Sequence, residues 1–115
     1  MSKFVEAIEL YKSDMASKLG IEQIDEVLLN AVTKGLGPSI YNKDSSTVAG
    51  SDDTELARVK ERFLIKKLGL ADSPALDEAI KEVIEKFGSS NRSKHRAVFY
   101  YLLVQKFAKH DVYGL

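Results

Sequence analysis

Residues 97–104 read AVFYYLLV, and a helix made of them is apolar on every side. A helix without a polar face has to be covered by other elements, so it belongs in the interior of a fold. The run is far shorter than the ~20 residues that a membrane-spanning helix needs. We therefore predict a soluble protein whose last helix, over residues 91–110, is buried at the centre of the fold.

Four further segments carry apolar residues at every third or fourth position, the pattern of an amphipathic helix. They are residues 3–19, 25–34, 52–68 and 74–87. A glycine follows each of them, which is typical of a helix end. Alternating strand patterns are absent. The sequence therefore predicts a single all-α domain over residues 1–115, a compact bundle of about five helices around the C-terminal one.

Composition excludes several classes of protein. The chain has no cysteine, which rules out disulfides and thiolate chemistry, and only two histidines, which disfavours most zinc sites. The formal net charge is zero, so no overall attraction to nucleic acid or to anionic lipid is expected. The N-terminal segment carries acids where a signal peptide needs an apolar stretch. We expect a cytoplasmic protein without cofactor, metal ion or membrane association.

The stretch GSSNRSKHR, residues 88–96, is the first candidate site. It lies at the predicted start of the buried helix, where backbone N–H groups and basic side chains suit an anion or an acidic partner. The alternative is a basic turn that pairs with acids of the same chain, such as Glu82 or Glu85. The candidate residues are Ser90, Asn91, Arg92, Lys94, His95 and Arg96.

The second candidate is the loop over residues 35–51, which is longer than most connections in compact domains. Its start, GLGP, lacks the glycine and lysine spacing of a phosphate-binding loop, so we interpret it as a helix end in which Gly35 adopts the strained angle. A calcium loop would need glycine where Thr47 stands. Ile40 and Tyr41 are expected to anchor the loop in the core. The predicted contact residues are Tyr41, Asn42 and Asp44.

No catalytic apparatus follows from the spacing of reactive side chains, and we predict that the protein is not an enzyme. An enzyme would need a pocket with a titrating group, for which His95 is the best candidate. Tyr100 and Tyr101 are interpreted as core residues rather than as a platform for stacking bases, and each buried phenol then needs a hydrogen-bond partner. The basic residues of the third helix are interpreted as a solvated face.

Three stretches, GLGPSIYNKD, FLIKKLGLAD and GSSNRSKHRAVFYYLLVQKF, together resemble the family known as Domain of Unknown Function 2853. The resemblance covers nearly the whole chain. It implies a small bacterial protein that stands alone, and it implies no activity, cofactor or functional residue.

The functional hypothesis is a small non-catalytic binding module that uses loop 35–51 and the basic turn 89–96. The alternative is binding of a phosphate-bearing ligand, nucleotide or nucleic acid, at the start of the last helix. The partner is then a protein or an anionic ligand, with nucleic acid disfavoured by the neutral overall charge. An exposed apolar stripe left after the helices pack would indicate a homodimer.

Overall fold

The structure, a computed structural model, describes residues 2–88 and 94–115. These residues form five helices. They are α1 Lys3–Lys18, α2 Glu26–Leu36, α3 Asp53–Arg58 with its π-helical continuation Val59–Lys67, α4 Pro74–Phe87 and α5 Arg96–Lys106. Two short 3₁₀ turns, Gly37–Tyr41 and His110–Tyr113, follow α2 and α5. The described residues contain no strand, which confirms the all-α prediction, and none of their helices has the length and apolar character to cross a membrane.

α5 lies at the centre of the bundle, as predicted. It packs against α1, α2 and α4. The ring of Tyr100 also stacks on Phe63 of the π-helical segment, with ring centroids 3.9 Å apart. The buried residues of α5 are Ala97, Val98, Phe99, Tyr100, Tyr101, Leu103 and Val104. Burial of each large apolar side chain stabilises the fold by about 1.5–3 kcal/mol. α5 contributes more buried side chains than any other described helix, so it stabilises the core most.

The two buried phenols of α5 both have hydrogen-bond partners, as the sequence predicts. The Tyr101 hydroxyl accepts from the backbone N–H of Asp25 and from the Gln105 side-chain amide, both at 2.9 Å. Burial raises the pKa of Tyr101, which keeps the hydroxyl neutral. The Tyr100 hydroxyl accepts from Nη1 of Arg96 at 3.0 Å. Because Asp25 is the N-cap of α2, Tyr101 also fixes the start of that helix.

α5 is shorter than the helix predicted over residues 91–110. It begins at Arg96 because His95 is extended, with ψ 127°, and pairs with Thr47 in an isolated antiparallel bridge. It ends at Lys106, and the chain turns at Ala108, whose φ is 53°. This turn lets Val112 and Tyr113 pack back against the core. Residues 91–93 of the predicted helix lie outside the described residues.

α2 ends at Gly37 and not at Gly35, so the predicted helix end is wrong by two residues. Gly35 is helical, whereas Gly37 has φ 63° and ψ −148°, a conformation that only glycine adopts readily. Pro38 disfavours helical angles for the residue before it, so the chain leaves the α-helix at Gly37. A 3₁₀ turn follows, and the predicted loop 35–51 is therefore partly helical.

The third helix changes its hydrogen bonding half-way, which the apolar periodicity did not reveal. Its second half is π-helical and buries Val59, Phe63 and Leu64. The N–H of Leu68 then donates to the carbonyl of Phe63, five residues earlier, at 2.9 Å. π-helical segments occur frequently at functional sites.

Candidate functional site

The two candidate segments meet at a short antiparallel contact. Thr47 and His95 form the bridge. The N–H of Val48 donates to the carbonyl of Lys94, and the N–H of Arg96 donates to the carbonyl of Ser46, both at 2.8 Å. We call residues 46–48 together with residues 94–96 the junction. The loop and the start of α5 are thus one structural unit.

The side chain of Arg96 joins the two segments of the junction by hydrogen bonds. Its Nε donates to the carbonyl of Ser45 at 2.7 Å, and its Nη2 donates to the carbonyl of Thr47 at 3.2 Å. Nη2 also pairs with the carboxylate of Glu55, and the two side chains are only 15% and 14% exposed. Burial by itself lowers the pKa of Arg96, but Glu55 and the Tyr100 hydroxyl outweigh it and raise the pKa. Arg96 is therefore committed to partners within its own chain.

His95 ties the junction to α1. Its Nε2 lies 2.7 Å from a carboxylate oxygen of Asp14, and both side chains are largely buried. The imidazole ring also packs against Tyr11, with ring centroids 5.1 Å apart. Ser46 lies in the same region, but its hydroxyl donates weakly to the carbonyl of Lys43 at 3.5 Å. The imidazole, bonded to Asp14 and packed on Tyr11, thus holds α1 against the junction.

Lys94 is buried, with 6% of its surface exposed, and its side chain crosses Gly50. A Cβ atom at position 50 would lie 3.0 Å from Cε of Lys94, so glycine is what allows this close approach. A cavity of about 680 Å³ opens beside Lys94. Its lining includes the carboxylates of Asp44, Asp52 and Glu55. The wall therefore carries more negative than positive charge, which does not favour a phosphate-bearing ligand.

The outer edge of the loop is held by its own hydrogen bonds. The side chain of Asn42 accepts from the N–H of Asp44 at 3.0 Å, and the carbonyl of Asn42 accepts from the N–H of Ser46 at 2.8 Å. The hydroxyl of Ser45 donates to the carbonyl of Ser39 at 2.8 Å. The predicted contact residues Asn42 and Asp44 are exposed on this edge. The edge is thus held by hydrogen bonds of its own residues.

Tyr41 is half-exposed beside a groove. Ile40 is buried as predicted, but Tyr41 is 46% exposed, so its predicted role as a core anchor is wrong. Consecutive residues of a 3₁₀ turn point about 120° apart, so the two cannot both face inward. The groove, of about 460 Å³, lies between this turn and α1, and Leu10 and His95 are part of its lining. Burial raises the pKa of Tyr11, also in the lining, and nearby Tyr41 raises it further.

The structure brings together only part of the predicted basic turn. Ser90, Asn91 and Arg92 lie outside the described residues. Lys94, His95 and Arg96 lie in the junction and pack against Gly50, Asp14 and Glu55. Glu82, which the sequence suggested as an acid for this turn, pairs with Lys106. Among the basic residues of α3, Lys60 pairs with Asp72 and Asp77, and Lys67 lies over the ring of Tyr113.

Sequence reasoning missed Asp14 and Glu55 as partners of the junction. A weak signal existed for Asp14, which lies between the inward-facing Tyr11 and Met15 on α1, where a charged residue has to find a partner. Glu55 lies in the first turn of α3, and its side chain reaches across to Arg96 of α5. Among the residues that the structure describes, no group of three or more acidic or histidine side chains is placed to hold a metal ion.

Comparison with models of protein families gives a match over most of the chain. No curated protein matches the chain. The family described as "Protein of unknown function (DUF2853)" matches residues 10–111, which include the junction, Tyr41 and all of α2 to α5. This range is nearly the whole chain, so the protein belongs to the DUF2853 family.

Proposed function

We propose that the protein is a small non-catalytic module that binds another protein through the outer edge of loop 35–51 and the groove beside it. The observation that carries the proposal is the half-exposed Tyr41 on an ordered loop. Tyrosine is enriched among the residues that dominate protein–protein binding energy, because it offers a large rigid surface and one polar group. Leu10, 50% exposed across the groove, supplies a second apolar contact.

The order of the loop supports this surface. Asn42 and Ser45 hold the loop edge, and Arg96 and the bridge between Thr47 and His95 hold the loop on α5. A surface that is ordered before binding loses less conformational entropy when a partner docks. The junction therefore acts as the support of the binding surface, while Tyr41, Asn42 and Asp44 provide its contacts.

The contacts that Arg96 and His95 make within the chain argue for a protein partner over a phosphate-bearing ligand. The guanidinium of Arg96 is bonded to Ser45, Thr47, Tyr100 and Glu55, and the imidazole of His95 contacts Asp14. Both are held by groups of their own chain, so an external phosphate would have to displace these contacts. A contribution of Arg92 to anion binding stays a prediction.

Affinity capture with matched variants tests the proposal. The wild-type protein, Tyr41→Ser and Val27→Ser are immobilised and exposed to a lysate of a bacterium that carries this family, and captured proteins are quantified by mass spectrometry. Val27 is the control because it is 64% exposed on α2, away from the loop. We expect at least one protein that wild type and Val27→Ser retain and Tyr41→Ser loses. Its direct binding to the purified chain is then measured.

The phosphate alternative is tested in parallel. ATP and a short single-stranded RNA are titrated into the isotopically labelled protein at low salt, and amide chemical shifts are followed. We expect no saturable shift at residues 94–96. Saturable shifts there, combined with equal capture by all three immobilised proteins, would replace the protein-binding proposal by the anion-binding one.

A further inference from the structure

A second concave surface lies between α3 and α4, away from Tyr41. Its volume is about 440 Å³. The apolar part of its lining consists of Leu56, Ala57, Ile65, Ile80 and Ile84. Leu56, Ile65 and Ile84 are only partly buried, so apolar side chains remain open to water along the groove. We call this surface the α3–α4 groove.

The rim of the α3–α4 groove is acidic. Its basic members are Lys60 and Lys81, and its acidic members are Asp53, Glu61, Asp72 and Asp77. Nζ of Lys60 lies 3.0 Å from Asp72 and 3.1 Å from Asp77, and these carboxylates raise the pKa of Lys60. Within the described part of the chain, Asp53 and Glu61 form no ion pair. A ligand in this groove would therefore contact apolar side chains at its base and the carboxylates of Asp53 and Glu61 on its rim.

We propose that the α3–α4 groove binds a short basic amphipathic helix of another protein. Two helices side by side make a trough into which a third helix can lay its apolar face, with anchors at spacings of three, four and seven residues. The lining on α4 from Asp77 to Ile84 covers about two α-helical turns, which matches the part of a partner helix that carries anchors at i, i+4 and i+7. Lysine or arginine residues beside the apolar anchors complement Asp53 and Glu61 on the rim.

A second copy of this chain does not fit the α3–α4 groove as well. The exposed apolar residues of α1, Val5 and Leu10, stand beside Glu6 and Glu9. Docking α1 of another copy would therefore bring acidic side chains against an acidic rim, which opposes binding. The rim also repels the phosphates of nucleic acid and of anionic lipid. The observations thus favour a different, basic polypeptide.

The proposal is tested with a defined peptide and does not depend on the surface at Tyr41. The probe is a fluorescent, helix-forming synthetic peptide of about 14 residues, with leucines at positions i, i+4 and i+7 and lysines flanking them. A second peptide carries glutamate in place of each lysine. Fluorescence anisotropy of the full-length protein is expected to show saturable binding of the lysine peptide in the micromolar range, at least about tenfold tighter than the glutamate peptide.

Charge reversal locates the binding. Asp53→Lys with Glu61→Lys is expected to weaken the lysine peptide at least about tenfold. The matched control, Glu78→Lys with Glu85→Lys, makes the same change of net charge at exposed positions of α4 outside the groove lining and should leave the affinity within about twofold. Circular dichroism checks that both variants fold.

Three results would overturn the proposal. The first is the absence of saturable binding to the wild-type protein, and the second is equal weakening by the two charge reversals, which would show attraction by bulk charge only. The third is a dimer in sedimentation equilibrium that Asp53→Lys with Glu61→Lys dissociates, which would assign the groove to a second copy. None of these results bears on Tyr41, so the proposed function is judged separately.

Discussion

Arg96 is the residue on which the junction depends most. It donates to two carbonyls of the loop and to the carboxylate of Glu55, so its removal leaves this largely buried carboxylate with only the more distant, exposed guanidinium of Arg58. Loss of one partner of a buried ion pair destabilises a protein by about 3–5 kcal/mol. We expect Arg96→Ala to lower the free energy of unfolding by about 3 kcal/mol in a urea titration.

The control for this prediction is Arg58, which also approaches Glu55 but at 3.9 Å and with a side chain that is 56% exposed. Arg58→Ala should change the free energy of unfolding by less than about 0.5 kcal/mol. The double variant Arg96→Met with Glu55→Leu should be more stable than Arg96→Ala, because no charge is then left buried. Equal effects of Arg96→Ala and Arg58→Ala would contradict the role of burial.

At the scale of elements, the end of α2 provides a paired prediction. Gly37 has φ 63°, where a side chain is strained, whereas Gly35 is helical and a Cβ there would only touch the ring of Tyr113 at 3.5 Å. Gly37→Ala should therefore destabilise the protein by about 1–3 kcal/mol. Gly35→Ala should be neutral or stabilising by up to about 1 kcal/mol, since alanine favours helix. Thermal unfolding followed by circular dichroism measures both, and the reverse order would show that the helix ends at Gly35.

Most of the helices could be predicted from the sequence, because apolar periodicity and the glycines at helix ends depend only on neighbouring residues. α1 and α4 have the predicted extents to within a residue. The errors arose where a distant contact decides the local conformation. His95 is extended where it pairs with Thr47, and α5 therefore starts at Arg96, five residues after the predicted start at residue 91. The π-helical turns of α3 likewise keep the same apolar spacing that an α-helix would show.

The candidate site was only partly readable for the same reason. The alternative that the basic turn pairs with acids of its own chain named Glu82 or Glu85, whereas His95 and Arg96 contact Asp14 on α1 and Glu55 on α3, far away in the sequence. Nothing local distinguishes Glu55 as a partner of α5 from an ordinary residue of a helix start. The exposure of Tyr41 depended in turn on which of two adjacent apolar residues the 3₁₀ turn directs inward.

At the scale of the whole molecule, tyrosines from separate elements lie in the core or pack against it. Tyr11 comes from α1, Tyr101 from α5 and Tyr113 from the final 3₁₀ turn, and burial raises the pKa of each. The pKa of Tyr113 is raised to about 12, first by burial and then by the neighbouring Tyr100. The folded protein thus holds these phenols neutral at a pH where the unfolded chain ionises them, which couples the packing of the whole bundle to alkaline pH.

This coupling has a defined sign. Below about pH 10 Tyr113 is neutral in the folded and unfolded chain, so its contribution to stability is constant. Between about pH 10 and 12 the unfolded chain releases a proton that the folded protein retains, and the free energy of unfolding falls as pH rises.

Tyr113→Phe removes the contribution of this phenol to the pH dependence. The free energy of unfolding of the variant should therefore fall less steeply between about pH 10 and 12 than that of the wild type. Urea titrations at pH values from about 7 to 12 measure both slopes, and their difference below pH 10 serves as the internal control, because it reports only the lost hydroxyl. Other groups, such as Lys60 with its raised pKa, also lose stabilisation over this range, but they do so equally in both proteins and cancel in the comparison. Parallel curves from pH 10 to 12 would mean that Tyr113 ionises as readily in the folded protein as in the unfolded chain, and that the final turn does not pack on the bundle as described.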